Sequence, residues 1–144
     1  MLLSRPDIKI DKYGRYRRTA LHEAAATRHD DVVRMLLSHP DIDVNKPDIR
    51  GESPLFGPVS RRCDNVCRML MSHPDIDVYK KNTQGESVLH AVCKWGCINT
   101  VKICLETNTI EMEAIDEHGV TPLACAAELG RTDIVRMLAA KGEM

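Results

Sequence analysis

Apolar residues along the chain follow two alternating patterns. In one they pair at i and i+3 or i+4, as in Val32, Val33, Leu36 and Leu37 and again in Ile134, Val135 and Leu138, which predicts amphipathic helices with one buried stripe. In the other, small residues cluster, as in Ala24, Ala25 and Ala26 or Ala126 and Ala127, and predict short helices that neighbours approach closely. Thr19, Ser53, Ser87 and Thr121 stand where an N-cap oxygen accepts a backbone N–H, and Pro54 and Pro122 follow at the first helical position, where a missing N–H costs nothing. Gly96 and Gly130 mark the break before the second helix of a pair. Asp30 and Asp31, or Thr132 and Asp133, suit its positive N-terminal end. Gly51, Gly85 and Gly119, each two residues ahead of a cap, predict tight turns in the polar connectors.

Both patterns recur with a fixed period. The stretch from Arg34 to Val44 returns almost unchanged from Arg68 to Val78, a shift of 34 residues, and Met1 to Ile8 falls on the same motif one period earlier. Thr19-Ala20-Leu21-His22 returns as Ser53-Pro54-Leu55-Phe56, Ser87-Val88-Leu89-His90 and Thr121-Pro122-Leu123-Ala124, again in steps of 34 without insertion. A helix–turn–helix unit with a polar connector, repeated in phase, buries its apolar face only by stacking on its neighbours.

The Thr-Pro-Leu-His-like start, the two antiparallel helices, the turn and a period near 33 resemble the ankyrin repeat. The resemblance spans the chain as four units, 13–46, 47–80, 81–114 and 115–144, after a partial unit 1–12. It implies an all-α ankyrin-repeat solenoid, one domain over 1–144, built of helix-turn-helix units joined by turn or hairpin connectors. The sequence departs from the family in places. Ser-His-Pro-Asp-Ile-Asp lengthens the connection, which sets the period at 34. Arg17 stands where Gly51, Gly85 and Gly119 fall, so a left-handed backbone there is strained unless Gly14 relocates the turn. Gly57-Pro58 interrupts the first helix of the second unit. Pro58 forfeits its bond to the Pro54 carbonyl, a defect of about 3 kcal/mol in a helix interior, so that helix is expected to be short, bent or mobile. Neither end of the sequence reads as a purpose-made polar cap, which suggests a piece of a longer array or a small protein with an exposed N-terminal face.

Composition narrows the function classes. The chain carries 20 Lys+Arg against 21 Asp+Glu, so no global field argues for nucleic acid or a membrane surface. Apolar runs are too short for a membrane span, and no secretory stretch follows the first residues. Six cysteines, Cys63, Cys67, Cys93, Cys97, Cys104 and Cys125, invite a metal or catalytic reading. Cys63 and Cys97 occupy equivalent places in adjacent units, roughly 10 Å apart, while Cys67 and Cys104 replace core Val and Leu. Most of the six read as small buried hydrophobes, reduced as in a cytoplasmic protein, with no metal site. Cys93 shares a helical face with His90, but no third group orients the pair and no oxyanion donor accompanies it. His39 and His73, duplicated in register, read as architectural. The chain is expected to be no enzyme and to need no cofactor.

The resemblance also implies where a partner sits. Ankyrin proteins generally bind proteins on the concave face made by connector tips and the exposed side of the first helices. Carried over position by position, the candidates are Tyr13, Arg15, Tyr16 and Arg18 in the first connector, and Ile49, Arg50 and Glu52 in the second. Thr83, Gln84 and Glu86 follow in the third, and Glu117 and His118 in the fourth. Arg61, Lys94 and Trp95 come from the ends of the first helices. Trp, Tyr and Arg are the types enriched at binding hot spots. Residues 1–72 hold 13 basic and 10 acidic residues, a net of +3, and 73–144 hold 7 and 11, a net of −4. Lys12, Arg15, Arg17, Arg18, Arg50, Arg61 and Arg62 are expected to gather at one end of the concave face, which favours a protein partner with an acidic segment and a monomer or part of a longer chain. The competing reading is a spacer in a longer array with no contacts of its own. His22 and His90 are implied to make inter-repeat hydrogen bonds. Asn45 resembles the asparagine hydroxylated in some ankyrin repeats; the equivalent places hold Asp11, Tyr79 and Glu113.

Overall fold

Local signals set the helix boundaries in three of four units. The computed structural model describes residues 8–142, so most of the partial unit expected at 1–12 lies outside the described residues. Eight helices follow one another: α1 (Ala20–Ala26), α2 (Asp30–Leu37), α3 (Phe56–Ser60), α4 (Asp64–Met71), α5 (Val88–Trp95), α6 (Ile98–Glu106), α7 (Pro122–Glu128) and α8 (Thr132–Gly142). There is no strand among the described residues. Thr19, Ser87 and Thr121 cap α1, α5 and α7 by accepting the N–H of the residue three positions on. Ser53 does not do this. Helix α3 starts only at Phe56, after a turn in which Phe56 N–H donates to the Ser53 carbonyl at 3.1 Å. Pro54 therefore precedes that helix, and α3 is cut to five residues, as the proline at 58 requires.

The break between paired helices is a left-handed residue at equivalent places: Arg28 (φ 61°), Arg62 (φ 56°), Gly96 (φ 72°) and Gly130 (φ 68°). After each, the next N–H reaches back five residues, from His29 to Ala24, Cys63 to Pro58, Cys97 to Val92 and Arg131 to Ala126. This closes the helix end in the Schellman pattern, where glycine is the unstrained choice. Arg28 and Arg62 carry an αL cost of about 1–2 kcal/mol and offset it by bridging to the next unit. Arg28 Nη2 donates to the Arg61 carbonyl at 2.7 Å and Arg62 Nη2 to the Trp95 carbonyl at 3.0 Å. Where glycine takes the left-handed place, Arg131 supplies the same bridge, to the Lys94 carbonyl at 3.0 Å.

Each connector after the first ends in a narrow hairpin held by one side chain. Asp48 Oδ1 accepts the N–H of Arg50 and Glu52, Asn82 Oδ1 those of Gln84 and Glu86, and Asp116 Oδ1 those of His118 and Val120. Gly14 occupies that place in the first hairpin, so the clasp is missing there. It does not relocate the turn: its φ is −102°, and Tyr16 (φ 56°) and Arg17 (φ 57°) adopt the left-handed conformation instead. Arg17 then lies over the Tyr13 ring at 4.8 Å, with Lys46 over the same ring at 4.3 Å. Neighbouring hairpins touch through a single backbone bond apiece: Ile49 N–H to Tyr16 O, Thr83 N–H to Arg50 O and Glu117 N–H to Gln84 O, each 2.9 Å.

Stacking places α1, α3, α5 and α7 in one layer and α2, α4, α6 and α8 in the other, with the core between them. Leu21, Leu55, Val59, Leu70, Val92, Ile134 and Leu138 are among its fully enclosed residues. Gly57 lets α3 approach α1; a Cβ there would stand 3.1 Å from that of Ala26. One core position is frustrated. Thr100 is buried where Val66 and Ile134 stand in neighbouring units, and its hydroxyl has no oxygen or nitrogen partner among the described residues. The Cys67 sulphur beside it is a weak acceptor. Thr100→Val is therefore expected to stabilise the protein by about 1 kcal/mol, read as a higher midpoint in denaturant unfolding. A lowered midpoint would mean that the thiol contact matters more than the lost hydroxyl desolvation.

Candidate binding groove

The hairpin tips and the outward side of the first helices enclose a groove. Its larger part, about 830 Å³, runs from the first hairpin over α1 to α3 and the second hairpin. Lys12, Arg15, Tyr16 and Arg18 line one side, Glu23 and Thr27 the floor, and Arg50, Glu52, Ser60 and Arg61 the other. A smaller hollow of about 170 Å³ continues between Arg50, Glu52, Phe56, Gln84, Glu86, Lys94 and Trp95. Tyr16, Arg50, Glu52, Arg61 and Trp95, chosen from the sequence, are thus brought together.

Their electrostatic roles differ. The Arg18 guanidinium is occupied: Nε binds Glu23, Nη2 donates to the His22 carbonyl at 3.1 Å, and Nη1 lies 3.4 Å from Asp48 Oδ2. Arg17 rests on Tyr13, itself half-buried, and Arg62 points to the far end of α5. The expected seven-residue basic cluster is therefore smaller than its sequence count. Arg15, Arg50 and Arg61 line the groove and have no side-chain hydrogen bond or ion pair among the described residues. Glu52 is half-buried, and burial, with Asp48 adding to it, raises its carboxyl above the ordinary range. Lys94 is neutralised by Glu86 at 3.8 Å. Of the remaining candidates, Ile49, Gln84, Glu117 and His118 are exposed at the tips, while Thr83 ties its hydroxyl to the Arg50 carbonyl at 3.0 Å. The sequence reading passed over Asp48, Asn82 and Asp116, although their recurrence three places before each glycine was visible.

Four of the histidines are used structurally. Thr19 N–H donates to His22 Nδ1 at 3.1 Å, so Nε2 carries the proton and donates to the Glu52 carbonyl of the next hairpin at 2.9 Å. His90 repeats this with Ser87 and the Val120 carbonyl, at 3.1 and 2.8 Å. Burial lowers the His22 pKa, which keeps that neutral form. Phe56 takes the equivalent place in the second unit, and no ring bond reaches the third hairpin from there. His39 and His73 accept Asp41 and Asp75 N–H at 3.1 Å. Five cysteines are buried and Cys125 is half-buried; burial pushes Cys67 and Cys93 up to about 12 and Cys104 to about 11. A thiol so protonated beside a histidine whose two ring nitrogens are engaged is no activated nucleophile. Asn45 bridges connectors, donating to Asp75 O at 2.7 Å and accepting Asp77 N–H at 2.8 Å.

Paired antiparallel helices, a closing left-handed residue, a projecting hairpin and a groove beneath the tips define a helical repeat solenoid. A family model for ankyrin repeats, in three copies, matches residues 1–82 and 59–144, and the chain belongs to the ankyrin repeat family. No curated protein sequence matches it. Ankyrin repeats are generally protein–protein interaction modules, and proteins made of them are typically scaffolds rather than enzymes. No helix among the described residues is long and apolar enough to cross a membrane.

Proposed function

We propose that this chain binds a partner protein in the groove under its hairpin tips, without catalysis of its own, and that the partner presents an acidic segment to the first two hairpins. The observation that supports this most is the set of guanidinium groups on Arg15, Arg50 and Arg61, unpaired among the described residues, around one cavity. Arginines elsewhere in the stack, such as Arg28, Arg34, Arg62, Arg68, Arg131 and Arg136, bond to carbonyls or carboxylates of the fold. Guanidinium suits bidentate capture of a carboxylate, and such groups at a rim speed association in a salt-dependent way.

The test is affinity capture with wild type beside an Arg15→Ala, Arg50→Ala, Arg61→Ala variant. Arg18 is left intact because its bonds hold the first hairpin. A protein captured by wild type, lost with the variant at unchanged thermal stability and weakened by moderate salt, is the expected result. Equal capture by both would move binding off this face. A stack that captures nothing in either form would instead favour the spacer role.

A further inference from the structure

The groove has two chemically distinct ends, and their spacing specifies what kind of segment fits. At the first two hairpins the free groups are cationic, as described. One unit further on, the register that places Arg61 at the end of α3 places Trp95 at the end of α5, and the next step holds Leu129. Trp95 is 44% exposed and Leu129 50%, so two apolar surfaces stand in a row beyond the last free arginine. The hollow beside Trp95 shares Arg50 and Glu52 with the cationic end, and its own charges, Lys94 and Glu86, pair at 3.8 Å, with the Lys94 ammonium 6.0 Å from the indole centroid. That end offers an aromatic face beside an ion pair rather than a free cation.

We infer that the groove takes an extended, acidic–apolar segment of a partner protein: carboxylates against Arg15, Arg50 and Arg61, and an apolar side chain on Trp95 three residues away. This rests on the groove-binding reading above. Helices stacked as α3 and α5 are lie about 8–10 Å apart, and an extended chain rises about 3.3 Å per residue. One step between units therefore corresponds to about three residues of ligand. A helical segment, rising about 1.5 Å per residue, would need six or so. The exposed body of an indole is the type of surface that anchors such a contact.

Trp95 is the protein's single tryptophan, so its fluorescence reports occupancy of the apolar end directly. The probes are capped dodecapeptides in a Gly/Ser background. The first carries two adjacent glutamates and a leucine three positions on, the second replaces that leucine by serine, and the third places it six positions on. The first is expected to shift Trp95 emission saturably and to bind about fivefold or more tighter than the other two. Arg61→Ala is expected to weaken it about as much and to reduce its salt dependence. If the serine peptide binds as well as the first, the groove reads acid alone; the apolar end is then wrong while the groove-binding reading stands. Equal or tighter binding of the six-residue spacing overturns the extended geometry. Binding that leaves Trp95 emission and the Arg61→Ala affinity unchanged lies elsewhere, and sinks both readings. Absence of binding by all three peptides up to millimolar concentration overturns the inference, whereas the capture experiment above judges the groove independently.

Discussion

Gly85→Ala is expected to destabilise the stack by about 4 kcal/mol, and the same substitution at Gly119 by only about 1–2 kcal/mol. Both glycines have φ of 76°, so both substitutions carry the left-handed penalty of an L residue. Only Gly85 faces a neighbour. A Cβ on it would stand 2.9 Å from the Glu117 amide nitrogen and 3.1 Å from the Asp116 carbonyl carbon, whereas nothing lies within 4 Å of one on Gly119. The obstructing atoms are backbone, and Glu117 N–H is the donor to the Gln84 carbonyl that joins these hairpins. The substitution must therefore push the third and fourth hairpins apart or distort the third. At this chain length each kcal/mol is worth roughly 4 °C of melting temperature, so the pair should differ by about 10 °C in scanning calorimetry. Equal losses at the two sites would mean that the hairpins separate at little cost and that glycine is needed for its φ alone.

Thiol labelling should divide the cysteines sharply. In a brief native exposure to iodoacetamide near neutral pH, Cys125 is expected to react first, and Cys67, Cys93 and Cys104 to stay unmodified until the protein unfolds. All six thiols are free and five are buried. Burial pushes Cys67 and Cys93 up from 9.0 to about 12, which makes their thiolate roughly a thousandfold scarcer than in an ordinary cysteine, before access is counted. Burial also raises Cys125, but its partial exposure admits the reagent. Peptide mapping by mass spectrometry reads the order, and denaturant should abolish it. Fast native labelling of Cys93 would contradict the packing of α5 and reopen a nucleophilic role beside His90.

The architecture was legible because it is written in a period. One repeat's cap, small-residue helix and apolar stripe each reappear 34 residues on, so every local signal is read several times. The same in-register comparison located Trp95 on the exposed end of α5 and Cys67 and Cys104 in the core. It misjudged what rests on a single copy. Ser53 looked like a cap because its counterparts are caps, but Gly57 and Pro58 delay α3 until Phe56. Gly14 was read as a turn glycine, when its register is that of Asp48, Asn82 and Asp116 and its effect is the loss of a clasp. Charge was the least legible property. A sequence count weighs Arg15 and Arg18 equally, and only contacts distinguish a free guanidinium from one bound by Glu23 and the His22 carbonyl.

The bonds between hairpins also bear on mechanics. Each joint pairs one backbone bond at the tip with a side-chain bond: His22 to the Glu52 carbonyl, the Thr83 hydroxyl to the Arg50 carbonyl, and His90 to the Val120 carbonyl. In the first and last of these the second bond comes from a buried imidazole below the tip, so the two attachments are set apart as the two screws of a hinge plate are. In the middle joint both donors belong to Thr83 and share one acceptor, because Phe56 stands where a histidine would reach across. A load applied along the stack is therefore expected to open the joint between the second and third hairpins first.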